Sequence, residues 1–403
     1  MKAFDIALID EKLLDEFRLM TDTLADDTVA EIISSGYEAQ INQIFALLVQ
    51  NDSVDPSVFS ELEPDLAKTL IGYFEKTAHL PEWADADQLK IGEEVFAKFG
   101  PEIFMLLNVA SLPMCYTCAH GAEVLYATGR LLSHNKDVDP LARRLMETAQ
   151  MVVNVMSPGG LDPEGKGLVT IQKVRLIHAS IRYFLHHPKN NRQWEVDRLG
   201  QPINQEDLAG TLMSFAPVIL SGLKHLNVEL SVEEQTAYMH CWKVVGYLMG
   251  IDERLLPDSY EQGHELAVKI LAHQAAPSEA GRALTASCIQ FINSMMPIAT
   301  FDDVPAYMMD YFLTEYAAAS GKPLSECIGI QNQGNMKDRL VLKLTQYLVG
   351  HIGEIAHWEM VRKISTPFNR LLLEGIIRYY NGGKKVHFFI PPSLKKNWKL
   401  EES

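Results

Sequence analysis

The sequence is short of positive charge and of long apolar runs, and each shortage argues against a class of protein. Lysine and arginine number 36 against 52 aspartate and glutamate residues, which gives a formal net charge of -16. This balance argues against a nucleic-acid partner, which requires a clustered basic face, and against electrostatic docking on anionic lipid. Because no uncharged apolar run reaches the length of about 18 residues that spans a bilayer, we predict no transmembrane segment.

Cysteine is also scarce, with five residues: Cys115, Cys118, Cys241, Cys288 and Cys327. The odd count, and an N-terminus with acids among its apolar residues and no small-residue cleavage site, predict free thiols and a cytoplasmic location. Cys115 and Cys118 form a CxxC, but no histidine follows directly and no second CxxC or HxxxH is present. Covalent haem and structural zinc are therefore disfavoured, and we predict a buried helical pair without chemistry.

Alternating strand patterns are missing as well, whereas helical periodicity dominates. The sequence therefore predicts an all-α protein that forms a single large helical domain over residues 1–403. A capping box at Ser231 and Glu234 marks one helix start. The predicted helices cover residues 27–49, 54–78, 87–107 with an interruption at Gly100 and Pro101, 117–132, 204–226, 231–248, 258–275, 278–294, 304–319, 337–363 and 367–380.

Residues 141–183 hold two further helical patterns with polar residues inside their apolar faces. In the first, Arg144 and Thr148 lie one turn apart along the inward face. In the second, an imidazole interrupts an apolar stripe made of Ile171, Val174, His178, Ile181 and Leu185. Taken alone, a histidine on such a stripe is more often a hydrogen-bonded core residue than a ligand.

The turn between these two patterns, SPGGLDPEGKG at residues 157–167, is rich in glycine and proline. It does not follow a predicted strand, so it does not fit a phosphate-binding loop. Its glycines instead predict a tight turn beside a bound group.

The run Arg144, Glu147, Thr148 and the string VRLIHASIR, centred on His178, resemble an oxygenase family. That family includes the bacterial latex clearing proteins, or rubber oxygenases, and the fungal oxygenase of mycophenolic acid biosynthesis. Its pattern is an arginine, a lysine and a threonine three and four residues later, and a histidine about thirty residues further on. Glu147 stands at the lysine position. The similarity extends over residues 83–257 and includes TGRL, DLAGTLMSF and CWKVVGYLMGI.

The resemblance implies that residues 83–257 surround haem b in a globin-like arrangement of helices, with residues 1–82 and 258–403 as flanking helices. It implies that His178 ligates the haem iron. Arg175 and Arg182 flank His178 on the same face, so either can reach a propionate or orient the imidazole. The alternative is that both arginines reach solvent from the helix edge.

The resemblance also places Arg144 and Thr148 beside the oxygen site, where a guanidinium and a hydroxyl stabilise developing negative charge. Their structural alternatives are a salt bridge between Arg144 and Glu147 and a bond from Thr148 to its preceding turn. Glu147 is a candidate base if burial raises its pKa; otherwise it points to solvent. Glu123, on the preceding helix, is the second candidate base that the family implies.

These residues lead to three hypotheses for the function of the chain. The first is a haem-dependent oxygenase, more specifically a dioxygenase, that uses dioxygen and a hydrophobic, alkene-bearing substrate of the isoprenoid kind. The second is a non-catalytic haem-binding or gas-sensing helical protein, which needs His178 but not the set formed by Arg144, Glu147 and Thr148. The third is a helical interaction protein without a cofactor. The substrate, the need for an electron-transfer partner and the oligomeric state stay open.

Overall fold

The computed structural model describes residues 4–50, 54–131, 140–163, 165–187, 193–295 and 302–330. Over these residues the protein is all-α, as predicted, and its extended pairing is limited to one isolated bridge between Cys118 and Ala275. The helices are α1 (Glu11–Arg18), α2 (Thr23–Ser34), α3 (Ile41–Gln50), α4 (Pro64–Thr77), α5 (Ala86–Leu106), α6 (Leu112–Thr117), α7 (Ala119–Leu131), α8 (Pro140–Met156), α9 (Lys166–His186), α10 (Val196–Leu199), α11 (Gln205–Phe215), α12 (Pro217–His225), α13 (Val232–Leu248), α14 (Tyr260–Gln274), α15 (Glu279–Met295), α16 (Val304–Ser320) and α17 (Leu324–Cys327).

Most helix predictions hold, including the capping box, in which Ser231 and Glu234 exchange hydrogen bonds at the start of α13. The predicted helix 54–78 is a 3-10 turn at Pro56–Phe59 followed by α4, which begins only at Pro64. Two other predicted helices are each divided into two α-helices. The segment 27–49 is broken after α2 by Gly36, whose φ is +89°. The segment 204–226 is broken at Ala216, which leaves helical geometry before Pro217 opens α12. The predicted helices 337–363 and 367–380 lie outside the described residues.

A long apolar helical stretch runs from Ala86 to Thr117 and contains α5, a π-helical turn at Leu107–Ser111 and α6. It bends at Phe99, next to the predicted interruption at Gly100 and Pro101. By length and composition alone this stretch could cross a membrane. However, 67% of its most apolar window is buried inside the protein, as in the core helix of a folded domain.

The chain divides into two compact units, and the first contains Met1–Glu94, Met151–Ala209 and Thr236–Ser259. One hydrophobic core of this unit joins α2, α3, α4 and α9. Ala25, Val29 and Ile32 of α2 and Leu70 and Phe74 of α4 are buried there together with Leu176 and Ala179 of α9. The N-terminal helices therefore share one hydrophobic core with the helix that carries His178.

The second unit contains Val95–Gln150, Gly210–Gln235 and Tyr260–Ser403. Within it α7 packs against α15, and α16 packs against α14, α17 and the π-helical turn. The contact between α12 and the preceding apolar stretch is close, since a Cβ at Gly222 would lie 2.5 Å from a methyl carbon of Leu106. The single-domain organisation with a globin-like core at residues 83–257 stays a prediction.

Candidate functional site

The α8 helix buries one side, formed by Leu145, Met146, Val152, Val153 and Met156, and its polar candidates sit at different depths. Arg144 and Thr148 are half-buried and one turn apart, as the spacing predicted, whereas Glu147 is exposed. The exposure of Glu147 favours the alternative in which its carboxylate points to solvent over the role of a buried base.

The guanidinium of Arg144 is held against the neighbouring helix α7. Its Nη1 donates a hydrogen bond to the backbone carbonyl of Leu125 at 3.1 Å. Burial lowers the pKa of Arg144, while electrostatic interactions with Glu147 and Tyr116 raise it. Tyr116 is 1% exposed, and burial raises the pKa of its hydroxyl well above the ordinary value. The guanidinium therefore lies in a poorly solvated environment, and its interactions with Glu147 and Tyr116 offset only part of the cost of burying its charge.

Thr148 differs from several other helical threonines of the chain. Thr128 and Thr170 donate from Oγ1 to the carbonyls four residues earlier, at 2.7 Å and 2.6 Å. Thr148 makes no comparable bond to Arg144 or Leu145, the two carbonyls that its preceding turn offers. The interpretation of Thr148 as a back-bonded core residue therefore loses its support. Glu123 is half-buried on α7, the helix that also holds Arg144.

His178 is half-buried near the middle of α9. Arg175, three residues earlier, forms a two-pronged ion pair with Asp22, with Nε–Oδ2 at 2.5 Å and Nη2–Oδ1 at 2.8 Å. Arg182, four residues later, donates from Nε to Oδ1 of Asp26 at 2.6 Å. The alternative in which both arginines reach solvent does not hold, because Arg182 is 4% exposed and Arg175 is paired and half-buried. A role for either arginine in haem binding stays a prediction.

The turn between α8 and α9 is tight, as its glycines predicted. Gly159 has a φ of +73°, and a Cβ at Gly160 would lie 2.3 Å from the carbonyl oxygen of Asn154. The side chains of Asn154 and Thr170 join the two helices at this end through a hydrogen bond of 2.9 Å. The end of α8 and the start of α9 are therefore fixed to each other by backbone contact that only glycine permits.

Glu93 of α5 is a residue at this turn that sequence reasoning missed. Both of its carboxylate oxygens accept from the backbone N–H of Gly159 at 3.1 Å. Burial raises the pKa of Glu93 to about 7, an effect that the Gly159 hydrogen bond opposes and the nearby Asp162 reinforces. A lone glutamate on an amphipathic helix carries no sequence signal for such a contact, because its partner lies 66 residues away.

A cavity of about 780 Å³ opens beside Arg175 in the first unit. Its wall includes Tyr247, Leu248 and Ile251 as well as charged side chains. Two of the cations are already neutralised, since Arg175 is paired with Asp22 and Arg254 with Asp252. The charges of this cavity are therefore largely balanced within the protein.

Cys115 and Cys118 are each half-buried rather than fully buried, so the predicted buried helical pair is only partly correct. The Sγ of Cys115 donates a hydrogen bond to the Oγ of Ser214 at 3.3 Å. Cys118 has an extended backbone conformation directly after the end of α6. Over the described ranges, no three His, Cys, Asp or Glu side chains are grouped as metal ligands.

The candidate residues fall into two sets. Arg144, Thr148 and Glu147 lie on the first half of α8 with Glu123 on the neighbouring α7, all in the second unit. Arg175, His178 and Arg182 lie along α9 in the first unit. The structure brings residues together within each set, and the predicted meeting of the two sets around one cofactor stays a prediction.

The chain matches a protein-family model over residues 99–348, described as "ER-bound oxygenase mpaB/B'/Rubber oxygenase, catalytic domain". This span is more than half of the chain and contains every candidate residue from Glu123 to Arg182. The match begins later than residue 83 and extends beyond residue 257, the two bounds that the short matching strings indicated.

Known proteins agree with this match. The rubber oxygenase of Streptomyces sp. (strain K30) is 22% identical over 372 residues, which cover 92% of this chain and 85% of that protein. A solved structure, described as latex clearing protein LCP in the closed state, aligns with a TM-score of 0.69 over 95% of each chain at 19% identity. At this identity the structural likeness shows the fold alone, and it is the all-α fold described above.

Proposed function

The chain belongs to the mpaB and rubber oxygenase family, and from that premise we propose that it is a haem b-dependent oxygenase, specifically a dioxygenase, of a hydrophobic alkene. The observation that carries the proposal is the ordered set Arg144, Thr148 and His178 inside the family's catalytic domain. The name of the Streptomyces relative indicates rubber, so an isoprenoid chain is the substrate class that we propose, with dioxygen as the co-substrate.

The donor chemistry of α9 fits a haem group. A neutral imidazole is a common protein ligand of haem iron, and a single histidine would be sufficient because haem brings its own nitrogen ligands. His178 provides that imidazole from a half-buried position. Arg182 Nη2 is buried and finds no hydrogen-bond acceptor in the part of the chain that the structure describes. A buried N–H of a cation suits a propionate, so these two residues would hold the group. When bound, haem supplies the iron at which dioxygen is activated.

The residues of α8 would then act on charge that develops during the reaction. Arg144 lies in a poorly solvated environment, and its guanidinium is oriented by the Leu125 carbonyl. A fixed cation in such an environment stabilises developing negative charge more strongly than one in water. Thr148, one turn away, offers a hydroxyl that its own preceding turn does not use.

Proton transfer from an allylic carbon would need a base. Glu123 is half-buried on the helix that fixes Arg144, and we propose it for that role. Glu147 is exposed, and we propose that its carboxylate supplies a charge near Arg144 instead. Glu147 replaces the lysine of the family's pattern, so no lysine is present at that position in this chain.

The test begins with absorption spectra of the protein supplied with haem, oxidised and dithionite-reduced, followed by oxygen uptake with a polyisoprene oligomer. We expect a Soret band and substrate-dependent uptake, both of which require haem. The variant His178→Ala should lose haem. The control, His186→Ala, replaces an exposed histidine of the same helix and should retain it.

Each other outcome supports a different function. A His178→Ala variant with unchanged haem content and spectrum would refute His178 as the ligand. Haem binding without oxygen uptake would favour the non-catalytic haem protein or gas sensor. Colourless protein that refuses added haemin would favour a helical interaction protein.

A further inference from the structure

Two ion pairs connect α9, the helix that carries His178, to α2. One pair involves a residue before His178 in the sequence, and the other involves a residue after it. Asp22 holds Arg175 and Asp26 holds Arg182. The two carboxylates are four residues apart, with Asp22 at the N-cap of α2 and Asp26 in its first turn. The two arginines lie three residues before and four residues after His178. The histidine is therefore bracketed by two fixed points of its own helix.

Each of the two arginines makes a hydrogen bond to a backbone carbonyl in addition to its ion pair. Arg175 also donates from Nη1 to the carbonyl of Leu248 at 3.2 Å, and Arg182 from Nη1 to the carbonyl of Ile203 at 3.3 Å. The side chains of Asp22 and Arg182 are 4% and 5% exposed. Charge-assisted hydrogen bonds in such a weakly polar environment are strong and directional, so each guanidinium is held in one orientation.

The backbone around the first pair leaves room for it. Gly250 has a φ of +77°, and a Cβ there would lie 2.7 Å from Nη2 of Arg175 and 2.8 Å from Cγ of Asp22. Gln205 then ties this glycine to the start of α2, because its Nε2 donates to the carbonyls of Gly250 at 2.9 Å and Thr21 at 3.2 Å. The Asp22–Arg175 pair therefore lies in a space that a side chain at position 250 would fill.

Because of helix geometry, these contacts constrain the direction in which the His178 side chain projects from α9. At about 100° per residue, Arg175 and Arg182 project within about 20° of each other, and His178 lies about 40–60° to one side of them. On the other side, Leu176 and Ala179 enter the core shared with α2. The two arginines therefore lie at the border between the α2 side of the helix and the side that presents His178.

We propose that Asp22 and Asp26 are positioning residues for His178: by holding Arg175 and Arg182, α2 sets the rotation of α9 about its axis and thus the direction of the imidazole. This inference rests on the proposed function of His178 as the haem ligand. It assigns a part in haem binding to a segment that precedes the catalytic-domain match at residues 99–348.

The experiment compares Asp22→Asn and Asp26→Asn with Asp27→Asn, an exposed neighbour on the same helix. Asparagine keeps the capping bond that Asp22 accepts from the N–H of Ala25, so the lost charge is the main change. Two quantities are measured on haem-loaded protein: the rate of haem release into excess apomyoglobin, and the ferric electron paramagnetic resonance spectrum. We expect release to accelerate about ten- to a hundredfold in the first two variants, with an altered spectrum. Asp27→Asn should match the wild type in both.

The outcomes separate this proposal from the function on which it rests. Wild-type protein that binds no haem would overturn both. Wild-type protein that binds haem, with Asp22→Asn and Asp26→Asn releasing it at the wild-type rate and with the wild-type spectrum, would overturn the positioning role alone. A purely structural role would lower the melting temperature without changing the spectrum of the haem that remains bound.

A charge exchange covers the case in which a single variant fails to fold. The double variant Asp22→Arg with Arg175→Asp restores an ion pair of opposite polarity at the first of the two pairs. We expect it to recover folding and slow haem release compared with Arg175→Asp alone. A folded double variant that releases haem as fast as the single variant would contradict the proposal.

Discussion

Arg144 illustrates how the surroundings of one side chain define what it can do. Burial disfavours its charged form, whereas Glu147 and Tyr116 favour it, and the balance lowers its pKa. A guanidinium nevertheless stays protonated at neutral pH. A negative charge that develops beside a poorly solvated cation is stabilised more than one that develops beside a cation in water. The reduction of dioxygen would produce such a negative charge.

Replacing Arg144 and Thr148 should therefore affect rate rather than haem binding. We expect Arg144→Ala to lower oxygen uptake about a hundred- to a thousandfold, because one preorganised charge-stabilising donor is lost. Thr148→Ala should have an effect in the same direction, since the hydroxyl makes no bond to its preceding turn. Haem content should stay near the wild-type value in both. Uptake at the wild-type rate in both variants, with His178→Ala free of haem, would refute the oxygenase mechanism and keep the haem protein.

Glu93 should make stability depend on pH. Its pKa is raised from an ordinary 4.5 to about 7, so the fold favours the protonated form. The stabilisation is complete below the unfolded-state pKa and is lost as the pH rises through about 7. Glu93→Gln cannot ionise, so its urea midpoint should exceed that of the wild type by more at pH 8 than at pH 5. The exposed Glu94→Gln is the control and should show no such trend. A Glu93→Gln midpoint that tracks the wild type at both values would argue against the raised pKa.

The spacing of Arg144 and Thr148 was predictable from sequence, because residues four apart share a helix face. Their partners were not. Asp22 and Asp26 lie 153 and 156 residues from the arginines that they bind. Periodicity within a helix says which face is buried but does not name what covers it. The alternatives for Arg175 and Arg182 therefore omitted the ion pairs that the structure contains.

At the scale of helices, periodicity predicted where helices exist but missed breaks inside them. The segment 27–49 keeps an apolar pattern across Gly36, although the left-handed conformation of that glycine ends α2. In the same way, the pattern of residues 204–226 continues through Ala216 while Pro217 starts a new helix. Apolar spacing reports burial of both helices, and it does not register a change of direction between them.

The turn between α8 and α9 allows a sharp test at this scale. A Cβ at Gly160 would lie 2.3 Å and 2.5 Å from two backbone carbonyl oxygens, which cannot move independently of α8. We expect Gly160→Ala to destabilise the protein by about 2 kcal/mol or more, as measured by urea unfolding.

The matched control for the turn is Gly72→Ala in α4, where a Cβ would meet nothing within 4 Å. That change should stabilise the helix by about 0.5–1 kcal/mol, because alanine is the better helix former. Equal midpoints for Gly160→Ala and the wild type would show that the turn tolerates a side chain.

At the scale of the whole molecule, the first 82 residues contribute to the same core as the His178 helix. Phe59, Leu70 and Phe74 are buried in the cluster that also holds Leu176 and Ala179 of α9. Each large apolar side chain that is fully buried contributes about 1.5–3 kcal/mol. The burial of a few such side chains therefore contributes as much as the whole free energy of unfolding of a typical protein, roughly 5–15 kcal/mol.

A chain shortened to residues 83–403 should therefore lose part of its hydrophobic core and not only surface helices. It keeps the whole matched family domain, residues 99–348. It lacks the α2 and α4 side chains that cover Leu176 and Ala179, and the carboxylates that hold Arg175 and Arg182. We expect it to bind the dye ANS, to unfold without a cooperative transition and to retain no haem. Co-expression with a separate 1–82 fragment should restore cooperative unfolding, since packing and ion pairing need no peptide bond between the two pieces. A cooperative, haem-retaining 83–403 chain would instead mean that the N-terminal helices are dispensable for the His178 helix.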